Sequence, residues 1–229
     1  MKLNVVGLGP GDPELLTLKA VKCLKESDVV VAPKSNELDR SIAKEIIRNY
    51  VDESKIFTYY FPMNNDRKLL QNRYKELAEE IFEFLQQGKK VSYVTIGDPS
   101  VYSTFIYLGE ELKKMSVKME IISGIPSFVE LTNRLGFPLC KKGEQFCVIE
   151  GDKIESLDML LNFFDQIVVM KAHRAIKRLK AICNERYDLD IYVGCKVGLD
   201  GEIIYDLREE LKFEELYLST IIIRRKDVQ

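Results

Sequence analysis

The sequence predicts an α/β protein built from two α/β parts. Three observations carry that expectation. Short apolar runs alternate with amphipathic stretches through the first half. Three of those runs end in small-residue turns: Gly7-Leu8-Gly9-Pro10-Gly11-Asp12-Pro13, Gly97-Asp98-Pro99-Ser100 and Gly124-Ile125-Pro126-Ser127. The periodicity then breaks over 136–143, and the apolar runs beyond it read as a mixed sheet with helices. The junction falls between about Ile122 and Glu144, dividing the chain into 1–122 and 123–229. Parallel strands present their carboxyl ends on one edge, so the three turns point to one shared pocket.

In the first part, strands are expected over 3–6, 28–32, 55–60, 90–96 and 119–122. Pro33 closes the second of these. The first helix is read over 14–26, with Asp12 as its cap and Pro13 at its first position. Further helices are expected over 38–49, 66–87, 100–114 and from 127 to about 135. Leu69, Leu70, Leu77, Ile81, Phe84 and Leu85 fall on one face of the long 66–87 helix, and Gly88 stops it. In the second part, strands are expected over 146–150, 166–170, 191–195, 202–205 and 219–225. Helices are expected over 156–164 and 174–186, with a short one near Phe213. Leu199-Asp200-Gly201-Glu202 is a turn between two strands.

Several function classes are disfavoured. The glycine spacing at 7, 9 and 11 lacks the third glycine of a dinucleotide fingerprint, because position 12 is Asp. Asp28 opens the second strand and Ala32-Pro33 closes it, so no acidic residue stands where a ribose partner would. No Gly-Lys-Ser/Thr holds a triphosphate. With 34 basic and 36 acidic residues the formal net charge is −2, which argues against a dedicated nucleic-acid binder. The five cysteines are scattered without a Cys-x-x-Cys pair, and His173 is the one histidine, so no metal site is expected and the thiols read as free in a reducing compartment. The opening apolar run is short and interrupted by Gly and Pro, neither a signal peptide nor a membrane span. A soluble, cytoplasmic protein is expected.

The three turns, read with Val168-Val169-Met170-Lys171, resemble the motifs of the tetrapyrrole methylase family in order and spacing over nearly the whole chain. Within the family the chain is most similar to the enzymes that methylate carbon 20 of precorrin-2 or cobalt-factor II in cobalamin biosynthesis. The stretches that carry this are Tyr60-Phe61-Pro62-Met63, the run from Thr95 to Phe105, and Ile122-Ser123-Gly124-Ile125-Pro126-Ser127-Phe128. Relatives acting at another ring position, or on diphthine, are the alternatives. Ser123 stands where many relatives have Pro, and Ser127 where they have Ala or Ser.

The resemblance implies two α/β domains of the tetrapyrrole methylase type with S-adenosylmethionine in a cleft between them, and a homodimer. It places cofactor contact on Pro10, Ile96, Gly97, Asp98, Val101, Pro126, Ser127 and Met170, with Val197 and Thr220 carried over from weaker motifs. Read from its own chemistry, Asp98 accepts from the cofactor ammonium, braces its turn or caps the helix that follows, and Met170 is a core residue or a contact. A polyanionic macrocycle needs cations around an apolar slot. Lys34, Arg40 and Arg67 are the candidates, followed by Arg73, Lys171 and Arg174. Methyl transfer from a sulfonium needs alignment more than proton transfer, so no catalytic base is assigned. His173 reads as a surface or cap residue, and Asp98, Tyr102 and Tyr107 stay without an acid–base role.

Overall fold

The computed structural model describes residues 1–34, 41–62, 66–208 and 218–226; the side chains of Arg67, Arg174 and Lys177 lie outside that description. The chain forms two compact units, Met1–Pro126 and Ser127–Gln229.

The first unit is a parallel five-stranded sheet. Its strands are β1 (Lys2–Gly7), β2 (Val29–Lys34), β3 (Ile56–Tyr60), β4 (Val91–Thr95) and β5 (Lys118–Ile122), in the order β3-β2-β4-β1-β5. Every described pairing is parallel, so all five carboxyl ends lie on one edge. The helices are α1 (Leu18–Glu26), α2 (Ile42–Ile47), α3 (Arg67–Gln86) and α4 (Phe105–Lys114). Leu3, Val5, Val31 and Tyr93 pack against Leu77 and Ile81 of α3 and Leu108 and Leu112 of α4. Each such fully buried aliphatic side chain contributes about 1.5–3 kcal/mol relative to leaving it exposed. Pro33 lies inside β2 rather than ending it. The β2–β4 ladder stops at Val31, so Pro33 sits past that pairing, where a missing N–H is tolerated.

Two helix starts differ from the sequence reading. Asp12 accepts the Glu14 N–H at 2.9 Å and closes a 3₁₀ turn over Pro13–Leu15. Leu16 is extended, and α1 begins only at Leu18, capped by Thr17, whose hydroxyl accepts the Ala20 N–H at 3.2 Å. Likewise α4 begins at Phe105 rather than near Ser100. Ser100 is held by Asp98, and Tyr102 takes a left-handed backbone (φ 47°) that no helix accepts. Helix α2 is shorter than the 38–49 reading, starting from Ser41, whose hydroxyl accepts the Lys44 N–H; positions 38–40 lie outside the described residues. Asp66 caps α3 as its start requires.

The second unit opens with α5 (Ser127–Leu135) and carries a mixed sheet. Its strands are β6 (Phe146–Glu150), β7 (Gln166–Met170), β8 (Leu189–Cys195), β9 (Ile203–Asp206) and β10 (Ser219–Arg225), in the order β6-β7-β10-β8-β9. The β6–β7 pair is parallel and the rest are antiparallel. One face packs Ile167, Val169, Ile191 and Ile221 against Leu157, Leu179 and Ile182. On the other, Leu131 of α5 meets Val197 and Ile222. The 156–164 helix is mostly not α-helical: a 3₁₀ segment over Gly151–Ser156 precedes a four-residue α6 (Leu157–Leu160). A 3₁₀ turn over Ala172–Arg174 likewise precedes α7 (Ile176–Glu185). The short helix expected near Phe213 lies outside the described residues.

Candidate functional site

In the first unit β4, β1 and β5 are neighbours, so their three outgoing turns meet. Gly9 and Gly97 form a two-way backbone bridge: Gly97 N donates to Gly9 O at 2.7 Å, and Gly9 N to Gly97 O at 3.2 Å. The third turn closes on this pair through its backbone. A Cβ on Gly124 would stand 2.2 Å from Gly97 O, and one on Gly7 would stand 2.6 Å from Gly124 N. No side chain fits at either position, and the glycines there are a packing requirement.

Gly97 is different. Its φ of 73° disfavours any L side chain, yet a Cβ built there meets nothing within 4 Å. Its Cα therefore borders open space beside the knot of turns, where a ligand can approach the backbone closely. Pro10 is buried, while Ile96, Val101 and Pro126 are partly covered around this opening edge of the sheet.

Asp98 braces the knot. Its Oδ1 accepts the Ser100 N–H at 2.8 Å and the Ser100 hydroxyl, and its Oδ2 accepts the Gly124 N–H at 2.9 Å. Burial pushes the Asp98 carboxyl upward, but the hydrogen bonds from Ser100 and Gly124 outweigh it and hold the group below the usual carboxylate value. Of the roles open to Asp98 from sequence, the structure shows the brace. It does not cap α4.

The second unit gathers Ser127, Met170, Val197 and Thr220 at one end of its own sheet. Met170 ends β7 and faces Thr220 across the ladder. The hydroxyls of Thr220 and Ser127 share a hydrogen bond of 3.0 Å, tying the first turn of α5 to β10. Val197 follows β8 and is buried against Leu131 and Ile222. Gly194 lets that contact form, since a Cβ there would stand 2.6 Å from Leu131 Cδ1. Met170 is half-buried, and Lys171 after it turns through φ 52°.

The cationic candidates divide. Lys34 ends β2, on the same carboxyl edge as the three turns. The Arg67 backbone opens α3, the helix that follows β3 in the chain. Arg40 lies outside the described residues. Arg73 is committed elsewhere: it pairs with Glu76 at 3.1 Å and lies over the rings of Tyr59 and Tyr60, 5.0 and 5.8 Å from their centroids. The Tyr59 phenol donates to the same Glu76 at 3.0 Å, and burial with that bond pushes it up to about 12. Lys171 pairs with Glu150 at 2.7 Å. His173 is exposed within its 3₁₀ turn. Among the described residues no group of three or more His, Cys, Asp or Glu side chains could hold a metal ion, and no helix is long and apolar enough to cross a membrane.

The sequence reads Gly7 as backbone that a ligand can approach and gives Gly124 no role of its own. The structure instead packs both against neighbouring turns, and their signal is a glycine at the last position of, or just beyond, an apolar strand. Ser100, which completes the Asp98 brace, stands two residues after it, the spacing of a local carboxylate-closed turn; the Ser127–Thr220 bond carries no local signal.

Known proteins are similar to this chain in sequence and in fold. The model of the family described as "Tetrapyrrole (Corrin/Porphyrin) Methylases" matches residues 2–212. A Methanocaldococcus jannaschii protein named "Probable cobalt-precorrin-2 C(20)-methyltransferase" is 35% identical over 98% of this chain and 96% of its own length. The Salmonella typhimurium cobalt-precorrin-2 C(20)-methyltransferase is 28% identical over 98% of this chain and 97% of its own. Among solved structures, the Thermus thermophilus uroporphyrin-III C-methyltransferase in complex with S-adenosylhomocysteine superposes with a TM-score of 0.65 at 19% identity, covering 98% of this chain and 97% of that one, which shows the same fold. The chain belongs to the tetrapyrrole methylases.

Proposed function

We propose that the protein transfers a methyl group from S-adenosylmethionine to carbon 20 of precorrin-2 or its cobalt form, a step of cobalamin biosynthesis, and that it works as a homodimer. One observation carries the assignment to this position: the two full-length relatives reported above are both named for it, and this chain matches them end to end. The open backbone at Gly97 supports the donor, because a Cβ built there would meet nothing within 4 Å, which leaves room against the turn.

S-adenosylmethionine supplies a methyl already activated on a sulfonium. The protein's share of the work is then positional. Gly97, flanked by Pro10, Ile96, Val101 and Pro126, would take the donor against backbone and small apolar surface. Asp98 holds the turns in register and thereby shapes that face. In the second unit, Ser127, Met170, Val197 and Thr220 would supply further donor contacts, with the Ser127–Thr220 bond fixing their end of the sheet. Lys34, Arg40 and Arg67 would meet the carboxylates of the acceptor.

Calorimetric titration with S-adenosylmethionine tests the donor. Mass spectrometry and NMR of precorrin-2 and cobalt-precorrin-2 after incubation test the acceptor. One added methyl at carbon 20 is the expected product; a methyl at another ring position would reassign the enzyme within its family. Light scattering of the purified protein tests the dimer, with a monomer mass counting against it.

A further inference from the structure

The segment that leaves the Gly97-Asp98 turn exposes three large side chains in close succession: Tyr102 (41%), Ile106 (60%) and Tyr107 (55%). Tyr107 is held in place nonetheless. Its ring centroid lies 5.5 Å from that of Tyr74, which is itself buried and 4.9 Å from Phe61, which lies 5.2 Å from Tyr59. One side of the Tyr107 ring thus rests on a ladder of aromatic rings, while more than half of the residue is left open. Ile106 is its chain neighbour. Tyr102 takes a left-handed backbone on the same segment, a conformation that costs a non-glycine residue about 1–2 kcal/mol and so calls for a reason.

We propose that Tyr107 and Ile106, with Tyr102 beside them, form the apolar seat for the ring plane of the tetrapyrrole acceptor. This rests on the function proposed above. A transferable methyl must lie within about 3–3.5 Å of the carbon that receives it, so an acceptor served from Gly97 must lie beside that turn. A macrocycle is far wider than one methyl and extends onto what surrounds the turn, and this segment is the one that continues the chain directly from it. An aromatic ring already fixed by its neighbours loses little freedom when a flat π-system stacks on it.

The test is steady-state kinetics with cobalt-precorrin-2 or precorrin-2, whichever turns over, alongside calorimetry with S-adenosylmethionine and light scattering. Tyr107→Ala is expected to raise the acceptor KM about three- to tenfold, leave donor affinity within about twofold, and be restored by Tyr107→Phe, which keeps the ring. Ile106→Ser, exposed enough to leave folding intact, is expected to raise the acceptor KM in the same sense. An unchanged acceptor KM in both variants overturns the proposal. So does a Tyr107→Phe protein as impaired as Tyr107→Ala, an equal loss of donor affinity, or a changed oligomeric mass, which would make the patch a contact between copies. A wild-type protein that methylates no tetrapyrrole overturns the underlying function and the seat together, whereas an active wild type with unaffected variants overturns the seat alone.

Discussion

The carboxylate of Asp98 accepts the backbone N–H of Gly124 at 2.9 Å, a bond between the turn after β4 and the turn after β5, on either side of β1. It converts three separate strand–helix connections into one knot. Replacing Asp98 with Ala would leave two N–H groups and the Ser100 hydroxyl without their acceptor. The expected cost is about 1–3 kcal/mol in denaturant unfolding, together with weaker S-adenosylmethionine binding. Asp98→Asn, which keeps one oxygen acceptor, should lose less of both.

Gly97 and Gly124 separate packing from binding. Alanine at Gly124 drives a Cβ to within 2.2 Å of Gly97 O, so the variant should unfold at markedly lower denaturant. Alanine at Gly97 meets no protein atom but must adopt φ 73°, a strain of about 1–2 kcal/mol. Its donor affinity should fall at least tenfold while the fold persists. Circular dichroism and calorimetry on the two proteins read the contrast.

Thr220 and Ser127 offer a parallel test in the second unit. Thr220→Val keeps the shape of the side chain but removes half of a 3.0 Å hydroxyl pair. A loss of about 1 kcal/mol in stability is expected, with donor affinity reduced and acceptor KM little changed.

One pH effect is expected away from the site. Arg186 contacts both carboxylate oxygens of Asp188, at 2.9 and 2.8 Å, and this pairing holds Asp188 at about 2. The folded value lies below the unfolded one near 3.9. The pair therefore stabilises the protein fully above about pH 4, and that contribution fades as pH falls toward about 2. Both groups reach solvent, so the effect is under about 1 kcal/mol. Wild type and Asp188→Asn should differ in urea midpoint at pH 6 and converge near pH 2.

Strands were the most legible part of the chain. Val148-Ile149, Ile167 to Met170 and Thr220 to Ile223 are continuous apolar or β-branched stretches, and a buried sheet leaves such runs little else to form. Helix starts were harder. Asp12 and Asp98 both look like N-caps, but a short carboxylate closes a local turn two residues on as readily as it caps a helix. Here each does the former, and the helices begin later. Arg73 reads from sequence as a candidate for the acceptor's carboxylates, although Glu76 stands three residues along the same helix, a spacing that favours pairing. The knot itself joins residues 7, 97 and 124. That the three turns share an edge follows from parallel strands, but no local pattern says which of their glycines touch; only the sheet order brings them together.

The most direct measurement is to incubate the protein with methyl-labelled S-adenosylmethionine and cobalt-precorrin-2, with metal-free precorrin-2 in parallel, and to locate the label by NMR. The account predicts one labelled methyl at carbon 20 of at least one acceptor. Label at another carbon, or none transferred to either, would contradict it.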